Sequence, residues 1–70
     1  MEQTETVADA LPKEIARVRE VLGHYKELGP AGTIGAILIE GDLMRADRAV
    51  IYGDVVGMLR SLATLRGIKG

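Results

Sequence analysis

The chain has 70 residues, with nine lysines and arginines against ten aspartates and glutamates, one histidine and no cysteine. That length allows one domain at most, and the composition excludes disulfides, thiolate metal sites and, with His24 standing alone, an ordinary zinc site. The near-neutral charge argues against a dedicated DNA binder, which carries a basic excess. Tyr25 and Tyr52, the two aromatics, are too few for a base-stacking platform.

No apolar run approaches the roughly 18 residues of a membrane span. Residues 1–10 are acidic and polar, unlike a secretory leader, and together with the absence of cysteine they predict a cytoplasmic protein. A chain this short buries too small a fraction of its surface to be comfortably stable alone. Small scaffolds make up that deficit with a disulfide, a metal or a partner subunit. With the first two excluded, a homo-oligomer is expected.

In chain order, residues 1–10 have little to bury and read as a mobile tail, followed by a single helical domain over 11–70. The first helix is expected to begin near Pro12, because proline fits a first turn where its missing N–H would be unpaired anyway. Asp9 is the candidate cap. Ile15, Val18, Leu22 and Tyr25 recur at spacings of three and four, with Val21 and Leu28 alongside, which is the apolar stripe of an amphipathic helix. Gly29-Pro30 ends it, glycine taking the left-handed position and proline interrupting the ladder.

The second helix is expected over about residues 33–52, capped by Thr33 or starting as early as Pro30. Ala36, Ile39, Leu43, Ala46 and Val50 keep strict three-four spacing, a heptad-like seam. Ile37, Met44 and Ile51 form another apolar line about a quarter turn round, and Ile34 and Leu38 make the first two turns apolar nearly all round. Such a helix must be buried by several neighbours, and this chain has few to offer. Gly53 closes the helix and Asp54 caps a third, in which Val55, Leu59 and Leu62 line one face, widened by Met58 and Leu65. Gly67 ends it and Ile68 folds back over the last turn. Strand alternation and hairpin signals are absent. The expected fold is therefore all-α, a helical hairpin plus a short third helix, assembled as a homo-oligomer.

Side-chain catalysis fails on inventory, so the chain does not read as an enzyme. Ser61 and His24 sit on different helices with no activating motif, and Ser61 is expected on the polar side of the third. Glu40 and Asp47, seven apart on the second helix, either do acid–base work or pair with Lys or Arg at a subunit contact. Ala16 and Gly23 are small residues on the back of the first helix. A helix-interior glycine costs about 1 kcal/mol, so either a ligand or backbone passes close there or the surface is permissive.

Gly29-Pro30-Ala31-Gly32-Thr33-Ile34-Gly35 opens the second helix, and helix N-termini suit anions through unpaired N–H groups and the dipole. It lacks a Walker ending and a dinucleotide fingerprint. Gly32, Thr33 and Gly35 are the candidate phosphate-binding positions. Lys26, His24 and Arg45, the last from the same or another subunit, are candidate cations, and Tyr25 is the nearest ring for a base. Arg45, Arg48 and Tyr52, spaced three and four, are either a second anion patch or a solvated face. No cofactor and no metal is implied.

Two resemblances bear on function. Ala46-Asp47-Arg48-Ala49-Val50-Ile51-Tyr52-Gly53-Asp54 resembles the turn of a tetratricopeptide helical hairpin, but such arrays need about three or more repeats of 34 residues, so this implies only a good αα-turn. Pro12-Lys13-Glu14-Ile15-Ala16-Arg17-Val18-Arg19-Glu20, Gly23-His24-Tyr25-Lys26-Glu27-Leu28-Gly29-Pro30-Ala31-Gly32, and Gly53-Asp54-Val55-Val56 with Met58-Leu59-Arg60 resemble small helical proteins of bacteriophages and prophages. That resemblance implies an accessory binding protein in the host cytoplasm, sequestering an anionic nucleotide signal of host immunity, such as a cyclic nucleotide, as an oligomeric sponge. The alternatives are a protein–protein inhibitor of a host defence factor and a structural or assembly protein.

Overall fold

A computed structural model describes residues 5–70 and places them in three helices, α1 (Val7–Glu27), α2 (Thr33–Tyr52) and α3 (Val55–Arg66), with a 3-10 turn at Gly29–Gly32 between α1 and α2. Among the described residues there is no strand, so the all-α, three-helix expectation holds. No helix among them is long and apolar enough to cross a membrane.

The start of α1 differs from the expectation built on Pro12. Thr6, not Asp9, is the N-cap: its hydroxyl accepts from the Asp9 N–H at 3.2 Å and donates to the Asp9 carboxylate at 2.9 Å. Pro12 therefore lies inside the helix, where it removes a bond to the carbonyl four residues back. That carbonyl belongs to Ala8, which is exposed, so water can satisfy it. The opposite side of the same turn is buried, with Ala10 and Leu11 in the core and Val7 packed against them. Burial offsets the proline, and residues 7–10 belong to the helical domain rather than to a tail. The tail expectation for residues 1–4 lies outside the described residues.

The α1–α2 corner turns on Gly29, whose φ of 65° is a left-handed conformation that glycine adopts without steric cost. The N-cap of α2 is Gly32, not Thr33; Thr33 is already helical and turns its hydroxyl back to the Gly29 carbonyl at 3.2 Å. At the α2–α3 corner Gly53 has a φ of 64°, its N–H bonds the Val50 carbonyl, and the Asp54 N–H bonds the Ala49 carbonyl at 2.9 Å. This is a Schellman closure. Asp54 then caps α3 as expected, accepting from the Gly57 N–H at 3.0 Å.

The three helices pack on one another around Leu11, Val18 and Leu65, which are fully buried, together with Ile15, Val21, Ile39, Leu43, Ala46 and Leu62. From α1 the expected stripe holds for Ile15, Val18 and Val21, with Leu22 and Tyr25 half-buried, while Leu28 is exposed. Arg17 crosses to α3 and donates from Nη2 to the Leu65 carbonyl at 2.8 Å, beside the Ile68 N–H that bonds the same carbonyl at 3.0 Å. In α3 the inward face is Met58, Ser61, Leu62 and Leu65 rather than the Val55–Leu59 line. Val55 and Leu59 are more than half exposed, and Ser61 is buried rather than on a polar side. The face is shifted because α3 must meet both α1 and α2, and its small residues Gly57 and Ser61 are what the close approach to α2 tolerates.

This core is thin. The Cα radius of gyration is 13.0 Å, against about 11 Å for a compact chain of this length, and the molecule measures 45 × 28 × 15 Å. At fixed protein concentration in urea, Leu11→Ala should cost about 2–5 kcal/mol and Thr6→Ala about 1 kcal/mol. If both were silent, residues 5–11 would be a tail after all. A methyl group added at Gly23 would enter open space, with no neighbouring atom within 4 Å, so Gly23→Ala should gain up to about 1 kcal/mol; a loss would mean that something packs there.

Candidate ligand-binding cleft

Of the residues expected to hold an anion at the start of α2, Tyr25, Gly32 and Gly35 pack on one another. The Tyr25 ring lies over Gly35, where a Cβ would sit 2.6 Å from ring carbons, and Gly32 is pressed against the Tyr25 carbonyl. Tyr25 is thus a half-buried packing residue that also touches the core. The Thr33 N–H bonds the Pro30 carbonyl and its hydroxyl bonds Gly29. Lys26 Nζ pairs with Glu40 at 3.2 Å, and His24 is exposed. Arg45 is twelve positions beyond Thr33 on the same helix, about 18 Å along its axis at 1.5 Å per residue. Within one chain the fold therefore groups Tyr25, Gly32 and Gly35, and separates Arg45 from them.

Glu40 and Asp47 are both taken by cations of α1: Glu40 by Lys26, and Asp47 by Arg19 at 3.1 Å. Both carboxylates thus find a cation within the chain. These ion pairs are well exposed, where each contributes no more than about 1 kcal/mol.

Arg45 belongs instead to a cleft of about 450 Å³ between α2 and α3. Arg45, Arg48 and Tyr52 come from α2, and Arg60, Ser61 and Thr64 from α3. The second patch seen in the sequence is thus one wall of a two-walled site. The facing rows have the same spacing: 45, 48, 49 and 52 on one side, 57, 60, 61 and 64 on the other. At the hairpin end Ala49 and Gly57 bring the helices close, a Cβ on Gly57 falling 3.3 Å from that of Ala49.

The electrostatics of the cleft are cationic. Asp54 is its acidic lining residue, and one oxygen of that carboxylate is already used in capping α3. Arg45 is paired with Asp42 one turn back. Arg48 and Arg60 have no carboxylate partner among the described residues. Thr64 donates to the Arg60 carbonyl at 3.0 Å. Ser61 is 8% exposed, lines the cleft, and makes no hydrogen bond through its hydroxyl among the described residues. The α3 wall escaped the sequence reading because Arg60, Ser61 and Thr64 look like scattered polar residues until the hairpin sets them opposite Arg45, Arg48 and Tyr52.

A second surface is apolar. Ile34, Ile37, Met44 and Ile51 on the outward side of α2 are 76%, 60%, 55% and 75% exposed, with Leu38 beside them at 64%. With Gly41 and Arg48 they follow a three-four repeat, 34, 37, 41, 44, 48 and 51, opposite the inward seam. Gly41 has only the Arg45 guanidinium near a Cβ position, at 3.7 Å.

Comparison with known proteins gives no match to any family model, to any curated protein or to any solved structure.

Gly32→Ala forces backbone against backbone and should cost about 1–3 kcal/mol in thermal or urea unfolding, whereas Lys26→Ala should change stability by less than about 1 kcal/mol. The opposite ranking would mean that the loop is open and that Lys26 holds the corner.

Proposed function

We propose that the chain is a self-associating helical binding protein, of the kind that small phage accessory proteins represent, and that it sequesters a small anionic nucleotide signal as a homo-oligomer. The single observation that carries the reading is the apolar outward face of α2, Ile34, Ile37, Leu38, Met44 and Ile51, which is more than half exposed at every position. Full burial of such a side chain is worth about 1.5–3 kcal/mol, so covering these five should return about 1–2 kcal/mol each. Two copies placing this face together would gain about 10–20 kcal/mol by that measure, against an association cost of about 4–15 kcal/mol.

The repeat supports helix-on-helix pairing, since three-four spacing is what lets side chains of one helix seat between those of another. Gly41 supports it independently. A mid-helix glycine costs about 1 kcal/mol and nothing in its own fold needs the space, whereas a second helix crossing there would. The cationic cleft beside this face supports an anionic cargo, and its volume lies within the roughly 300–1,000 Å³ range of small-molecule sites.

A second reading, inhibition of a host protein, is favoured by a different observation. Val55, Val56 and Leu59 on α3 form an exposed apolar patch away from α2, the kind of surface that marks a protein contact.

Met44→Asp should dissociate the assembly in sedimentation velocity, because a charge buried without a partner is costly. Gly41→Ala should weaken association while preserving helix content by circular dichroism. Unchanged sedimentation of Met44→Asp would overturn self-association through α2.

A further inference from the structure

We infer that the α2–α3 cleft is a nucleoside-phosphate site, with Arg48 and Arg60 holding the phosphate from opposite helices, Ser61 donating from the floor, and Tyr52 offering its ring to the base at the mouth. The inference rests on the proposed anionic cargo and gives it a location away from the glycine loop at the start of α2.

Three observations converge on this ligand class. The first is charge: Arg48 and Arg60 approach one cleft from two helices, and neither has a carboxylate partner among the described residues. A guanidinium presents its N–H donors in a planar fork that matches phosphate oxygens and cannot be neutralised by deprotonation. Two such forks lining one cleft suit an anion with several acceptor oxygens better than a single carboxylate.

The second is Ser61. A helical serine or threonine either returns its hydroxyl to the carbonyl four residues back or points it outward; Thr64 does the first, to Arg60. Ser61, more than nine-tenths buried, makes no such bond. No fully enclosed side-chain polar atom among the described residues lacks a partner, so the Ser61 hydroxyl keeps its access, and the cleft it lines provides it. An unspent donor that lines the same cleft as two arginines without carboxylate partners is what an anion would use.

The third is Tyr52, which is 80% exposed at the end of the cleft where α2 stops. An aromatic ring beside a phosphate-binding pair favours a ligand with its own flat ring over inorganic phosphate, since stacking on a base needs only a π-face.

The test is isothermal titration of the full chain with adenosine 5′-monophosphate, and with adenosine and inorganic phosphate as its separate halves. The nucleotide should bind more tightly than either half. Arg60→Ala and Ser61→Ala, which leave the outward face of α2 intact, should each weaken it about 10- to 150-fold, the range for losing one hydrogen bond to a charged group. Tyr52→Ala should reduce the nucleotide's advantage over phosphate. Circular dichroism of Ser61→Ala, a minimal change, confirms that the fold is retained. Binding unaffected by both Arg60→Ala and Ser61→Ala would overturn the site while leaving the sequestration reading in place. Tighter binding of a single-stranded oligonucleotide than of the mononucleotide would overturn the ligand class. Absence of binding by the mononucleotide, by cyclic di- and trinucleotides and by ADP-ribose alike would overturn both.

Discussion

The packing of α2 against α1 and α3 uses Ala36, Ile39, Leu43, Ala46 and Ala49, and that choice leaves Ile34, Ile37, Leu38, Met44 and Ile51 on the far side. A single helix with apolar residues on two sides needs covering on two sides. α1 and α3 both lie on one of them, because α3 also packs on α1 and closes the small core around Leu11, Val18 and Leu65. The three helices thus close one core and leave the far side of α2 exposed. The remaining features of the molecule follow from how that unit is held together with so little interior.

Helix ends do much of the holding. Thr6 and Asp54 cap α1 and α3, Gly53 closes α2 in a Schellman turn, and Arg17 reaches from α1 to the C-terminal carbonyl of Leu65. Tyr25, Gly32 and Gly35 interlock at the α1–α2 corner. Satisfied termini of this kind contribute about 0.5–2 kcal/mol each, a meaningful share for a small domain whose net stability is of order 5 kcal/mol. They also fix the hairpin angle that sets Arg45, Arg48 and Tyr52 opposite Arg60, Ser61 and Thr64.

Where local chemistry decides structure, the residues were legible in the sequence. Gly29-Pro30 and Gly53-Asp54 mark the corners because left-handed glycine and an aspartate cap are local requirements, and the inward seam of α2 emerges from spacing alone up to Ala46. The misreadings arise where tertiary packing overrides a local rule. Pro12 reads as a first-turn proline, yet burial of Ala10 and Leu11 carries the helix through it to Val7. Val55 and Leu59 read as core, yet α3 turns Ser61 inward instead because it meets two helices at once. At the glycine-rich loop, which reads as an anion site from its N–H groups, the packing of α1 on α2 adds the Tyr25 ring over Gly35 and the Lys26–Glu40 ion pair. Half of the cleft was visible as Arg45, Arg48 and Tyr52; the other half needed the hairpin.

The two surfaces share Arg48, which stands in the outward three-four repeat and also lines the cleft. All of this depends on the outward face of α2 being covered in solution by another copy of the chain. The most direct measurement is the mass of the unaltered protein by sedimentation equilibrium at micromolar concentration. A homo-oligomer gives at least twice the 7.5 kDa of one chain, the expected result. A species of 7.5 kDa persisting to the highest attainable concentration would contradict it.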